Sequence, residues 1–487
     1  MSSFALRAGG VEDKARMSLA AKGAREATPS RIMVPRMLFG CASLVLVLFG
    51  LLMIYSSSSI IGLTSKAYNN DPAYFLVRQA IFAAVGLVAC VVLAVTDYHL
   101  WKGSMLKAAW AVTVFSLLIV YTPMAGHDAF GATRWISIGG FTLQPSEFAK
   151  GAIVLIGAHI AEEYYAKGTI GTGEALKLVG FGVGLPLVLI LAQPDKGTTG
   201  VLVLTLLAMC YLSGVSGRSI AIVTVVVIAG ALIYALKDDY SRARILTMID
   251  PFRDEYGDGY QLTQGFYALG SGGLTGVGLG MSKQKYNYLP MAHNDFIFAV
   301  VGEELGFIGA MALLATFCLL LWAGLKIAEN APDLAGRLIA AGCTSLLVIQ
   351  LLLNVSGVVG AFPLSGKPVP FVSYGGSSVI SSLMLVGLVM SVSMRSTLPE
   401  TSYERRRAEL RLADEDSPDV GVATPRSARL AGSPVRELRV VEGGATSRRS
   451  QARPTGRGGG DSAVGLRRID LGPSASERLR SARSRER

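Results

Sequence analysis

The sequence predicts an all-α polytopic membrane protein of about ten transmembrane helices, with one large outer loop between the seventh and the eighth. Three observations carry this prediction. Only 17% of the 487 residues are charged while 51% are hydrophobic, against about 25% charged in a soluble globular chain. Ten apolar runs approach the roughly 20 residues that cross a bilayer. The excess positive charge is confined to the ends. Residues 1–36 hold seven Lys/Arg against three Asp/Glu, residues 395–487 hold twenty Arg against thirteen acids, and residues 37–394 hold nineteen of each sign.

Residues 1–36 read as a basic cytoplasmic tail. No cleavable leader is expected, because the apolar run that follows is longer than a signal h-region. The spans fall at about 37–62, 75–96, 105–122, 143–161, 175–192, 198–214, 219–236, 295–325, 338–358 and 377–394. An even number returns both ends to one side. The short connections assigned inside carry Lys102, Lys107, Lys167, Arg218, Lys326 and Arg337, the bias that cytoplasmic loops show. Residues 237–294 form the large outer loop, whose mixed charge does not oppose its translocation. Residues 395–487 are rich in Arg, Ser, Gly and Pro and read as a disordered cytoplasmic tail, with a short amphipathic stretch near Tyr403–Leu412. Basic residues gathered in tails, without interleaved aromatics, argue against a nucleic-acid binder. Five cysteines scattered in apolar runs and four histidines provide no zinc spacing.

Charged groups inside spans are costly and mark sites or pairs. Segment four opens Gln144-Pro145-Ser146-Glu147-Phe148-Ala149-Lys150. Glu147 and Lys150 share a helix face, either as an internal ion pair or with Lys150 presented outward to an anion. Arg134 and Trp135 lie in the outer connection before it. Trp135 suits interfacial anchoring or sugar stacking, and Arg134 suits a phosphate. Gln193-Pro194-Asp195-Lys196-Gly197-Thr198 reads as a tight polar turn. In the large loop, Arg244 precedes Asp250-Pro251-Phe252, and the glycine-rich run 270–280 is either flexible or a backbone cradle for phosphate. Asp295 follows His293 where the loop enters segment eight. It fits an N-cap or an acid at the mouth of the bundle. Glu303 and Glu304 lie two turns deeper, and at least one of them reads as a buried structural acceptor. The Pro- and Ser-rich connection 362–378, with Ser373, reads as irregular backbone lining a cavity.

In order along 37–394, the words GATRWI, QPSEFAK, QPDKGT, DPFRDEYGDGYQ, ALGSGGLTGVGLG, AHNDFIFAVVGEELG and PFVSYGGSS resemble those of the SEDS family (shape, elongation, division and sporulation proteins), and the Val-Gly-Leu-Gly form is most similar to its cell-division branch. The chain departs from the family at Met291, Asn294 and Leu364-Ser365-Gly366, with Lys367 one place beyond. The resemblance implies a ten-helix peptidoglycan glycosyltransferase that polymerises lipid II, placed in the bacterial plasma membrane at the division septum, with its active site facing outside. It implies Asp295 and Lys150 as catalytic residues, with Asp295 as the base. Arg134, Trp135, Glu147, Lys196, Arg244, His293 and Ser373 complete the substrate-binding set. The implied partners are lipid II, membrane lipid, a class B penicillin-binding protein and other divisome proteins. No cofactor is demanded. A divalent cation, Mg or Mn, at the pyrophosphate is the one candidate, and no carboxylate cluster announces it. A lipid II flippase and a non-catalytic divisome scaffold are the competing readings.

Overall fold

In the computed structural model, residues 30–122, 126–129, 132–138 and 141–396 are described. All lie before residue 397. The two tails, and the amphipathic stretch near Tyr403–Leu412, lie outside the described residues.

Helices dominate. They are α1 (Ser30–Thr64), α2 (Tyr74–Val95), α3 (Gly103–Ile119), α4 (Pro145–Ala161), α5 (Thr172–Val179), α6 (Leu185–Ala192), α7 (Lys196–Leu212), α8 (Gly217–Lys237), α9 (Asp239–Ile249), α10 (Tyr260–Gly272), α11 (Ile297–Glu329), α12 (Leu334–Val358) and α13 (Gly376–Met394). A π-turn over Gly180–Gly184 joins α5 and α6 into one span, Thr172–Ala192. Among the described residues, seven helices are long and apolar enough to cross a membrane: α1, α2, α5–α6, α8, α11, α12 and α13. The three other expected spans fold as α3, α4 and α7, each 17 residues, or roughly 26 Å at 1.5 Å per residue. The protein is a multi-pass membrane protein.

The expectation of an all-α chain needs one correction. The connection between α3 and α4 contains a three-stranded antiparallel sheet, β1 (Gly126–Ala129), β2 (Ala132–Ile138) and β3 (Phe141–Leu143). β2 pairs with both neighbours, Ile136 facing Gly126 on one side and Leu143 on the other. Its sequence, Thr133-Arg134-Trp135-Ile136, carries the β-branched and aromatic residues that suit a pleated surface.

α12 and α13 form the buried centre, with 72% of each apolar stretch covered by protein. α2 packs along α13, and α11 packs against α1 and α12. Small residues let these helices approach: a Cβ on Gly387 would meet the backbone of Cys90 at 2.6 Å. α8 stands at the other extreme, with none of its apolar stretch buried. At the ends of α2, α12 and α13 remote from Asp295, Arg395 pairs with Asp97 (3.1 Å), and His99 lies between Asp97 and Asp333 at 2.7 and 3.0 Å.

α11 is broken at Gly306, which has φ +68° and ψ −168°. The glycine-rich run covers the break. Val277 N and Gly278 N donate to the carbonyls of Glu303 and Glu304 at 3.0 Å each, and Phe307 N and Ile308 N donate to those of Gly273 and Leu274 at 2.9 and 3.1 Å. Such close backbone approach requires glycine. A Cβ on Gly306 would fall 2.3 Å from Gly276 N. These amides are committed to the helix, so this part of the run is not a phosphate cradle. Below it, Glu303 accepts from Ser282 Oγ and Lys283 N, and Glu304 accepts from Ser56 Oγ at 2.6 Å, so both take the buried-acceptor role expected of at least one.

Candidate active site

Five segments converge at one end of the bundle, where the connections before α4, α7, α10, α11 and α13 meet it. Asp195 lies in the turn between α6 and α7. Its Oδ1 accepts from Thr198 N, capping α7 (3.2 Å), and its Oδ2 accepts from Thr198 Oγ1 (2.9 Å), Ser146 Oγ (2.8 Å) and Gln144 Nε2 (3.0 Å). Lys367 Nζ stands 2.7 Å from Asp195 Oδ1 and 3.0 Å from Oδ2, with both residues buried. Burial alone would raise the Asp195 carboxyl. The Lys367 ammonium outweighs it, helped by Arg134 and the Ser146 hydroxyl, and holds the group well below the carboxylate range. The sequence reading of a tight structural turn accounts for the cap and misses this counter-ion.

Asp295 precedes α11 by two residues. Phe296 occupies the N-cap and makes no capping hydrogen bond, so Asp295 is not the capping carboxylate. Asn354 Nδ2 donates to the Asp295 carbonyl and to the Lys367 carbonyl, both at 2.7 Å, and so ties the entry of α11 to the irregular connection before α13. A Cβ built on Gly366 would lie 3.7 Å from Asp295 Oδ2 and 3.8 Å from Arg244 Nη1, which places both groups around that glycine. Arg244 is presented by α9 and donates to the Leu364 carbonyl. Among the described residues no hydrogen bond closes on the Asp295 carboxylate. Burial raises its carboxyl above the usual range, and Lys367 and Arg244 pull it back only in part. An accessible edge remains, since Asp295 is half-buried.

Lys150 takes the first of its two expected arrangements. It is buried, donating to Glu147 Oε2 at 2.7 Å and to Gln350 Oε1 at 2.6 Å, and is not presented outward. Gln350 Nε2 in turn donates to the Pro368 carbonyl at 2.8 Å. Lys150 therefore braces the segment that carries Lys367, and Lys367 with Arg244 supplies the positive charge nearest Asp295.

The remaining candidates separate. Arg134 clamps the Asp195 turn, donating to the carbonyls of Gln193 (3.1 Å) and Pro194 (2.6 Å). Trp135 is half-buried on β2. Lys196 turns toward α9, bonding Ser241 Oγ (2.6 Å) and Asp238, whose carboxyl this contact holds down at about 2. His293 packs 4.8 Å from the Phe75 ring and 5.7 Å from Tyr374, and burial lowers its imidazole to about 4. Ser373 Oγ accepts from Val369 N at 2.8 Å, a turn contact. Thus Asp295 and Arg244 come together. Glu147 and Lys150 form a second layer, Arg134 and Lys196 hold neighbouring elements, and His293 and Ser373 shape the loops. Sequence reasoning missed Asp195, Lys367, Gln350 and Asn354 as site residues. Gln350 and Asn354 did leave a signal: two carboxamides four apart, on one face of a long apolar helix.

Among the described residues no three His, Cys, Asp or Glu side chains gather in a metal-binding group. The charged groups acting on Asp295 are both cations. Among the described residues the chain alone offers no set that would hold Mg or Mn, and a divalent cation at this mouth would take its ligands chiefly from substrate pyrophosphate oxygens, with at most the Asp295 carboxylate from the protein.

The profile of the FtsW/RodA/SpoVE family, described as "Cell cycle protein", matches residues 35–398. The chain belongs to this family, the SEDS proteins. It is 37% identical over 362 residues to Stage V sporulation protein E of Bacillus subtilis (strain 168), covering 74% of this chain and 98% of that one. It is 38% identical over 354 residues to the probable peptidoglycan glycosyltransferase FtsW of Geobacter metallireducens, covering 72% and 93%. Among solved structures, a chain from work on the coordination of polymerization and crosslinking by a peptidoglycan synthase complex aligns with a TM-score of 0.60 at 25% identity, over 74% of this SEDS protein and 98% of that chain. Thermus thermophilus RodA, a rod shape determining protein, aligns at 0.54 and 25%, over 74% and 97%.

Proposed function

We propose that this SEDS protein is a peptidoglycan glycosyltransferase that polymerises lipid II at the division septum, with Asp295 as general base. The observation that carries the reading is a half-buried carboxylate that no hydrogen bond closes on among the described residues, flanked by the cations Lys367 and Arg244. In the reaction an acceptor sugar hydroxyl oxygen attacks the anomeric carbon of a second sugar. The bond from that carbon to the lipid pyrophosphate breaks with its electron pair, and the hydroxyl proton passes to Asp295. The leaving pyrophosphate is a stabilised anion, so one base suffices, unlike the carboxylate pair of a glycoside hydrolase. A raised carboxyl is better matched to that task than an ordinary one. Lys367 and Arg244 face the charge that develops on the pyrophosphate, in a partly dry site where fixed charges act strongly. Direct displacement gives inversion.

In this reading residues 37–394 are the membrane domain, with ten spans formed by counting α3, α4 and α7. Residues 237–294 are the large outer loop, and 1–36 and 395–487 are cytoplasmic tails. A class B penicillin-binding protein crosslinks the product, as polymerization and crosslinking are coordinated in the structural relative. The test is polymerisation of purified lipid II in detergent by the protein with its partner. Asp295→Asn is expected to lower the rate by about 10²–10⁴-fold while leaving the complex assembled. Long glycan chains from the variant, or none from the wild type, would refute the proposal. The second outcome is what a flippase or a scaffold gives.

A further inference from the structure

We propose that the cleft between α9 and α10 is a subsite for the acceptor sugar, recognising ring hydroxyls through Asp258, Gln261 and Thr247 beside Arg244. This inference rests on the glycosyltransferase reading. The cleft has a volume of about 180 Å³. That is below the roughly 300–1,000 Å³ of a pocket that engulfs a whole small ligand, and it suits one ring of a larger substrate. Its lining includes Arg244, Thr247, Asp258, Gln261, Leu262 and Leu364.

Arg244 and Thr247 are three apart on α9 and so share a face. Asp258 lies just before α10, and Gln261 lies in its first turn. The local turn is held by Asp254, whose carboxylate accepts from Gly257 N and Asp258 N, each at 3.1 Å. The Asp258 carboxylate takes part in no hydrogen bond among the described residues, and it is exposed. Gln261 Nε2 donates to the Pro290 carbonyl at 3.2 Å, which fixes that side chain and leaves its Oε1 as an acceptor.

The donor and acceptor set decides the ligand class. A pyrophosphate needs cations and would meet the Asp258 carboxylate as a like charge. A neutral polyol needs acceptors and donors together. Asp258 and Gln261 Oε1 accept, Thr247 does either, and Arg244 donates. Leu262 and Leu364 add apolar surface for the C–H face of a ring. The position fits the acceptor, because Arg244 and Leu364 belong to both this cleft and the Asp295 site. A ring seated here presents its free hydroxyl to the base, while the pyrophosphate of the donor stays with Lys367.

The experiment is a single coupling with the full-length protein and its partner. The donor is lipid II with its accepting hydroxyl capped. The acceptor carries a non-leaving phosphonate in place of pyrophosphate. KM is measured for each separately. Asp258→Asn and Gln261→Leu are expected to raise the acceptor KM by about tenfold, as loss of a hydrogen bond to a charged or fixed partner does. Donor KM and turnover at saturation should stay within about twofold. An unchanged acceptor KM, a parallel rise in both KM values, or a fall in turnover alone overturns the subsite. Failure of the wild type to couple at all overturns the glycosyltransferase reading and the subsite with it.

Discussion

Lys367→Met removes the cation shared by Asp195 and Asp295, and its consequences for stability and for rate follow from different contacts. Lys367 Nζ lies 2.7 Å from Asp195 Oδ1, and the two side chains are 4% and 1% exposed. Removing one partner of such a buried pair costs about 3–5 kcal/mol, because the other charge is left uncompensated. Asp195 keeps its bonds from Ser146, Gln144 and Thr198, so the lower end, about 3 kcal/mol, is expected. Asp195→Asn added to Lys367→Met removes the orphaned charge and should return most of that loss, giving a coupling energy of about 2–3 kcal/mol. Activity should not return in the double variant, since Lys367 also acts on Asp295. Without Lys367 only Arg244 opposes burial, and the Asp295 carboxyl moves further up. The base accepts a proton only when ionised, so the acid limb of the kcat/KM profile shifts to higher pH. Denaturation in detergent and lipid II turnover across pH measure the two effects. A single variant as stable as wild type, a double variant no more stable than the single, or an acid limb unmoved or shifted downward would refute the reasoning.

Gly197→Ala perturbs the same lysine without touching a charge. A Cβ there would fall 2.6 Å from the Ser365 carbonyl and 2.7 Å from Lys367 Cγ, so the lysine stem must leave Asp195. A stability loss of about 1–3 kcal/mol with a marked fall in turnover is expected, and wild-type turnover would contradict it. Lys150→Ala leaves Glu147 buried without its cation and frees Gln350 from the ammonium it accepts from. Destabilisation of about 3–5 kcal/mol and loss of most lipid II turnover should be seen together, and a stable, active variant would count against the bracing role. His293 sits at about 4 in the folded protein against about 6.5 unfolded. Between those values the unfolded chain binds the extra proton, so stability rises with pH across that window. Wild type should lose up to about 3 kcal/mol on acidification from pH 7 to pH 4 through this group. His293→Phe, which keeps a ring against Phe75, should flatten that slope in denaturation curves recorded across the window.

The spans were legible because the bilayer imposes one demand on every segment, a long apolar run with its backbone bonded internally, and that demand is written locally. The ends moved by only a few residues where a cap fixed them, as Asp333 does by accepting from Gly336 N at the start of α12. The small sheet was not foreseen, although Thr133-Arg134-Trp135-Ile136 has strand character, because the helix signal on both sides dominated the reading. Asp295 was legible as an acid at a helix entry. Which lysine lies nearest it was not. Lys150 and Lys367 are 217 positions apart, and their roles depend on how far α4 is rotated and how deeply the Pro-rich connection re-enters the bundle, neither of which is recorded in local sequence. The glycine run had the same difficulty. Its φ values and close approaches are demanded by a break at Gly306, some 30 residues later, and without that partner the run reads equally well as flexibility.

The three acids near the mouth differ in one respect that separates structure from chemistry. Glu147 and Asp195 each hold a lysine ammonium at 2.7 Å. In Asp195 the Lys367 ammonium stabilises the ionised form and holds the carboxyl well below the usual range, while Glu147 is tied up geometrically by Lys150 on its buried helix. A carboxylate held that low is a poor base. Among the described residues, Asp295 receives positive charge without a bonded ammonium, from Lys367, which is already committed to Asp195, and from Arg244, which is committed to the Leu364 carbonyl. In the proposed reaction the same commitments would keep those cations in place as Asp295 took a proton, leaving them available to the departing diphosphate while the base was neutralised. An ion pair made directly to Asp295 would have coupled the two tasks and weakened both.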